Sequence, residues 1–120
     1  MILAGHSSGA YLAALVCTDE SYLKAEKLPL SVIKGCVAVD GRLPKELGKR
    51  KQVPPFLLLH VAEHPGESQR PCKLLQETGT SVKLHPAERK DHTSINNDLG
   101  KSGDKPTRAM FEFLATVLKD

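Results

Sequence analysis

Apolar residues come in blocks along this chain, and the blocks change length and period in a regular order. Residues 1–4 (Met-Ile-Leu-Ala) are apolar, a Gly- and Ser-rich stretch follows, and residues 10–17 are apolar nearly all round. That pattern predicts a strand, a sharp turn and a helix, and a helix without a polar face should be buried on most sides against a sheet. Residues 19–27 are polar and close at Pro29, after which residues 33–39 (Ile-Lys-Gly-Cys-Val-Ala-Val) read as a mostly apolar strand ended by Asp40-Gly41. A polar, basic connection occupies residues 42–52. Pro54-Pro55 then introduce the run Phe56-Leu57-Leu58-Leu59-His60-Val61, continuous in the way of a strand covered on both faces.

The second half keeps the alternation. A helix is predicted from Ser68 to Thr78, stopped by Gly79, with Pro71 in its first turn or at a kink. Residues 82–85 alternate as a short strand, and residues 86–103 form a loop carrying His92. The last helix begins near Pro106, a good first-turn residue, with Ala109, Met110, Phe113, Leu114, Val117 and Leu118 as its apolar stripe. Strands alternating with helices predict an α/β domain with a mostly parallel sheet, flanking helices and functional groups at the carboxyl ends of the strands. No internal repeat or low-complexity segment interrupts it.

Length and charge narrow the picture. At 120 residues the chain is one small domain at most, able to bury roughly two thirds of its unfolded surface. Seventeen basic and 14 acidic residues leave a net charge of +3, densest from Lys45 to Lys51, with Lys49-Arg50-Lys51 consecutive. This run lacks interleaved aromatics and reads as a solvated loop, so no nucleic-acid partner is expected. Cys17, Cys36 and Cys72 are odd in number and widely spaced, and read as small buried residues of a reducing compartment rather than as a disulfide frame or zinc site. Apolar runs are too short for a membrane span and no basic leader is visible, so no membrane partner and a cytoplasmic location are expected.

The chemistry concentrates at Gly5-His6-Ser7-Ser8-Gly9, a G-x-S-x-G placed between the predicted strand and helix. In that setting the pattern marks a nucleophile elbow, with glycines so that the backbone can fold tightly and substrate can reach Ser7 Oγ. A serine needs a base, and the base an orienting acid. Of the five histidines, His92 lies after the last strand and before the last helix, where the base falls in the chain order Ser, acid, His. His6 should point away from Ser7, His60 reads as a core histidine, and His85 reads as a surface one. The His60 and His64 spacing spans a strand end, so a shared metal is not expected.

Four segments carry a more specific resemblance: GHSSGAYLAAL, IKGCVAVDG, PPFLLLHVAEHPGESQ, and DHTSINNDLGKSGDKPT followed by FEFL. Together and in order they resemble the carboxyl-terminal half of α/β-hydrolase-fold esterases, most nearly bacterial carboxylesterase-like proteins grouped with feruloyl esterases and kynurenine formamidases. The resemblance implies a partial α/β-hydrolase fold lacking the amino-terminal strands. It also implies a serine hydrolase acting on a small carboxylic ester or aryl formamide, with no cofactor or metal. Carried over by position, Ser7 is the nucleophile, His92 the base, and Glu63, after the preceding buried strand, the orienting acid. Asp40 is the alternative acid because it ends the strand before; Glu67 is a third choice, and Asp91 reads as a solvated loop charge. The Ser8 backbone N–H would be one oxyanion donor, the second coming in the family from an earlier His-Gly-Gly type loop. An apolar first strand without a neighbour on its outer side would be an exposed edge, open to self-association. The alternative to an enzyme is a catalytically silent fragment acting at most as an interaction or structural module.

Overall fold

A computed structural model describes residues 1–45, 47, 53–63 and 66–119, with the backbone alone at 66 and 67. In chain order its elements are β1 (Ile2–His6), α1 (Ser8–Thr18), α2 (Ser21–Ala25), β2 (Gly35–Val39), β3 (Phe56–Val61), α3 (Gly66–Glu77), β4 (Val82–Ala87), α4 (Ser94–Asn97) and α5 (Lys105–Val117). The strands make one sheet in the order β1-β2-β3-β4, and all neighbouring pairs are parallel. Its register sets His6 beside Val39 and Val39 beside Leu59. Ser7 and Asp40 therefore leave the sheet at the same rim.

The apolar run of β3 does what its sequence requires. Phe56 and Leu58 bury on one face with Cys36 and Ala38, beneath Ala10, Ala14 and Cys17 of α1 and Leu75 of α3. Leu57, Leu59 and Val61 bury on the other face with Val37 and Val39, beneath Ile95 of α4 and Phe113 of α5. Each such side chain removed from water stabilises the fold by roughly 1.5–3 kcal/mol. β3 thus sits at the middle of a three-layer arrangement, with α1 and α3 on one side and α5 on the other.

Several elements differ in extent from what the pattern predicts. α1 buries one face only: Ala10, Ala13, Ala14 and Cys17 are covered, whereas Leu12 is 61% and Tyr11 42% exposed. The reason is position, because β1 is an outer strand of the sheet among the described residues and α1 overhangs it. α3 begins at Gly66, which puts Pro71 inside the helix, where it removes one backbone hydrogen bond. β4 runs on through Pro86 to Ala87. The carbonyls of Ser81 and Ala87 accept from Phe56 and Ala62 across the β3 side, so Pro86, of opposite parity, turns its missing donor outward from the sheet, where no ladder bond is lost.

At the end of the chain, Asp104 caps α5 by accepting from the Thr107 N–H at 3.0 Å, and Pro106 stands in the first turn. Leu118 lies past the helix and is exposed, so the stripe ends at Val117. All three cysteines are buried and unpaired. A hydrogen bond with Cys17, together with burial, pushes the Cys36 thiol far above its ordinary range. Lys49-Arg50-Lys51 lie outside the described residues; in the same connection Pro44 and Leu47 are buried. Among the described residues no helix is long and apolar enough to cross a membrane.

The glycines of the G-x-S-x-G turn are not equivalent. A Cβ on Gly5 would stand 2.0 Å from the Gly9 carbonyl oxygen, so β1 and α1 approach only because that side chain is absent. A Cβ on Gly9 would meet nothing within 4 Å, contrary to the expectation that both flanking glycines clear the turn. Gly5→Ala should therefore destabilise the fold by about 3 kcal/mol or prevent folding, as backbone cannot yield to overpacking the way a side chain does. Gly9→Ala should leave stability unchanged or raise it by up to ~1 kcal/mol through helix propensity. Urea unfolding of the two variants beside the parent chain checks the contrast, and equal losses would contradict it.

Candidate active site

Ser7 stands between β1 and α1 with φ 60° and ψ −120°, a conformation rarely adopted by a residue with a side chain. It is held there from three sides. Its N–H donates to the Val39 carbonyl at 3.0 Å, and its carbonyl accepts from the Ala10 N–H at 3.0 Å. On the third side Gly41 packs so closely that a Cβ there would lie 2.2 Å from the Ser7 oxygen. The strand, the helix and the turn after β2 together impose the strain, and the Ser8 N–H lies in the first turn of α1, where no intrahelical carbonyl reaches it.

Asp40 follows β2 at a positive φ of 44°. Its N–H donates to the Leu59 carbonyl at 2.7 Å, and its Oδ1 accepts from the Val61 N–H at 3.0 Å, so the carboxylate continues the ladder where β2 itself has ended. The other oxygen, Oδ2, is 2.6 Å from His92 Nδ1. The Asp40 side chain is 16% exposed and that of His92 is 54% exposed, which leaves the far side of the imidazole open. Because a carboxylate only accepts, His92 donates from Nδ1, and its neutral form presents Nε2 as an acceptor.

Ser7, Ser8, Asp40 and His92 line one open cleft of about 400 Å³ with Tyr11, Gly41 and Arg42. Of the three acids weighed from the sequence, Asp40 is the one in contact with His92. Glu63 stands exposed in the turn after β3, outside this cleft. The correction has a physical origin: Asp40 is anchored between two strand ends on the line from β4 back to β1, whereas Glu63 faces solvent. The side chain of Glu67, and His64 altogether, lie outside the described residues. His60 is buried in β3, with Nδ1 at 3.0 Å from the Val61 carbonyl. His85 is partly buried in β4, not a free surface residue, and desolvation lowers its pKa.

His6 and Gly41 are the participants that the sequence reading passed over. His6 Nε2 lies 2.7 Å from the His92 carbonyl oxygen, and the two rings are 4.6 Å apart. Strand parity could have signalled it, since Gly5 faces α1 and the next residue must face the opposite side of the sheet.

The loop carrying His92 is tied down by charge and by turns. Asp91 Oδ1 accepts from the N–H groups of Thr93 at 3.0 Å and Ser94 at 2.7 Å, opening α4, and these bonds hold its carboxyl below the usual range. It is thus a solvated loop charge, as expected, that also opens α4. Lys90 pairs with Asp98 and, at 2.8 Å, with Asp104, so one cation joins the loop to the cap of α5. Lys101 adds a second contact to Asp98 at 2.8 Å.

No protein-family profile and no curated protein sequence matches this chain. Solved structures do. Esterase 2 of Thermogutta terrifontis phosphorylated by paraoxon superposes with a TM-score of 0.71 at 20% identity, over 97% of this chain and 53% of that one. The propionate-bound form from the same planctomycete gives 0.69 at 17%, over 97% and 55%, and the apo form gives 0.69 at 19%, again over 97% and 55%. The chain has the fold of part of an esterase. It spans about half the length of these esterases, and at such identity the likeness concerns the fold.

The charge network makes a testable statement about acid. Hydrogen bonds from Lys101 and Lys90 lower the Asp98 carboxyl to about 2. A carboxyl depressed on folding contributes stability above its unfolded value of about 3.9, and that contribution fades as pH falls towards the folded value. Asp98→Asn should therefore be less stable than the parent at neutral pH, and the difference should shrink steadily from about pH 4 to about pH 2. Thermal unfolding of both proteins across that range provides the measurement, and a pH-independent difference would contradict it.

Proposed function

We propose that this chain carries the nucleophile, base and orienting acid of a serine hydrolase cleaving a small carboxylic ester or an aryl formamide. The observation that carries the reading is the 2.6 Å contact of Asp40 with His92 Nδ1, in a cleft shared with the strained Ser7. Three residues distant in sequence line that cleft with complementary chemistry, and two of them, Asp40 and His92, are in direct contact. Ser7 Oγ attacks the substrate carbonyl carbon while its proton passes to His92 Nε2, and the Asp40 carboxylate steadies the imidazolium. The Ser8 N–H donates to the oxyanion. Collapse of the intermediate returns the proton from His92 to the departing alcohol or amine, leaving acyl-Ser7. Water, deprotonated by His92, then attacks the acyl carbon; as the bond to Ser7 Oγ breaks, His92 returns the proton to Ser7 and the acid is released.

The esterase fold of the neighbours supports this reading, as does the carriage of Ser7, Asp40 and His92 on one sheet rim. The feruloyl esterase likeness would suit an aromatic acyl group, and the formamidase likeness an aromatic amine as the leaving group. Asp40 replaces Glu63 in the proposed triad because its carboxylate is the one hydrogen-bonded to His92.

A fluorophosphonate probe tests the nucleophile, since labelling needs an activated serine and little substrate pocket. The chain should label at Ser7, and Ser7→Ala should abolish the signal. Asp40→Asn should slow labelling on the order of a thousandfold, because an amide in that place favours the wrong His92 tautomer. Glu63→Gln should change it by about twofold at most, as an exposed side chain outside the cleft. Mass spectrometry of the modified peptide reads all three. A folded chain that never labels would replace this proposal with the silent interaction or structural module.

A further inference from the structure

We infer that His6 is a positioning residue for His92, tying the backbone of the base to the strand that ends in the nucleophile. The inference rests on the reading of His92 as base given above. His92 sits in an exposed loop tied down by Asp91 and Lys90, and its contact with Asp40 fixes the ring about one hydrogen bond without holding the His92 carbonyl itself. The His6 side chain supplies the missing restraint: its Nε2 lies 2.7 Å from the His92 carbonyl oxygen. A carbonyl only accepts, so Nε2 of His6 bears the proton and His6 is the Nε2–H tautomer.

The two rings also pack, with centroids 4.6 Å apart and planes tilted by 35°. One side chain thus restrains both parts of His92, the main chain by hydrogen bonding and the imidazole by contact. The other end of the link is rigid. His6 ends β1 in register with Val39, and Ser7 beyond it is locked by the Val39 carbonyl and by Ala10. Nucleophile and base are therefore connected through one histidine side chain and one peptide unit, a short path compared with the 84 residues of chain between Ser7 and His92. A misplacement of about 1 Å between reacting groups costs on the order of a hundredfold in rate, so this link bears directly on turnover.

Substitutions separate the two contributions. Gln places an amide donor near the position of Nε2 without the ring; Phe keeps a ring without the donor; Ala removes both. His6→Phe and His6→Ala should slow phosphonylation of Ser7 by fluorophosphonate about ten- to hundredfold, and should lower kcat for p-nitrophenyl acetate by a similar factor with KM changed by less than about twofold. His6→Gln should recover the rate to within about threefold of the parent, because the donor is the larger contribution. Circular dichroism confirms that each variant is folded. A rate for His6→Phe equal to that of the parent, or for His6→Gln as low as for His6→Ala, overturns the inference. Long-range ¹H–¹⁵N NMR of the unsubstituted chain adds a readout independent of folding defects and of turnover: an Nε2–H tautomer at His6 is expected, and an Nδ1–H tautomer overturns it. Absence of any labelling in the parent chain defeats the serine-hydrolase reading itself and this inference with it, whereas labelling with an Nδ1–H His6 defeats the inference alone.

Discussion

The Asp40 carboxylate joins two ends of the structure that backbone hydrogen bonding alone does not connect. One oxygen takes the Val61 N–H at the end of β3, and the other meets His92, which comes from beyond β4. Without the first bond the carboxylate would lose its anchor to β3; without the second, the His92 ring would lose its partner at Nδ1. Because the Asp40 side chain is mostly buried, its bond to Val61 acts where competition from water is weak, while its bond to His92 faces the open cleft. The candidate site depends on this residue more than on any feature of the loop itself.

Close backbone approach is the second constraint. Gly5 lets α1 settle on β1, and Gly41 lets the turn after β2 press on the Ser7 carbonyl. These contacts leave Ser7 little choice but its unusual φ and ψ. The strain at Ser7 is thus imposed by well-packed neighbours on both sides, as expected where a residue is held in a sparsely populated conformation for a purpose. His6 extends the same rigid rim sideways to the main chain of His92.

The loop between β4 and α5 shows how a segment without long regular structure can still be specified. Asp91 opens α4, Lys90 clamps Asp98 and Asp104, and Asp104 caps α5 through Thr107. Every one of these links is local in sequence, so the loop forms its shape from its own residues and then delivers His92 to a partner 52 positions away. Lys90, Asp98 and Asp104 are largely shielded from solvent, so the desolvation of their charges offsets much of their mutual attraction. Their effect is geometrical.

Much of this was legible in the sequence because it follows from period and side-chain shape. The unbroken apolar run of residues 56–61 had to be a doubly covered strand, the alternation of elements required a parallel sheet, and Gly-x-Ser-x-Gly between strand and helix singled out Ser7. His92 was legible from chain order. The partnership at His92 was not, because which carboxylate reaches it depends on the register of β2 against β3 and on the turn that lifts Asp40, and one-dimensional spacing favours Glu63 as readily. The exposed side of α1 was equally invisible, since an apolar helix shows its own surface and not the edge of the sheet beneath it. Nor could spacing reveal His6, whose parity directs it to a loop 86 residues away. Local chemistry is written in neighbouring residues; contacts between strand ends arise only when the sheet brings those ends to one rim.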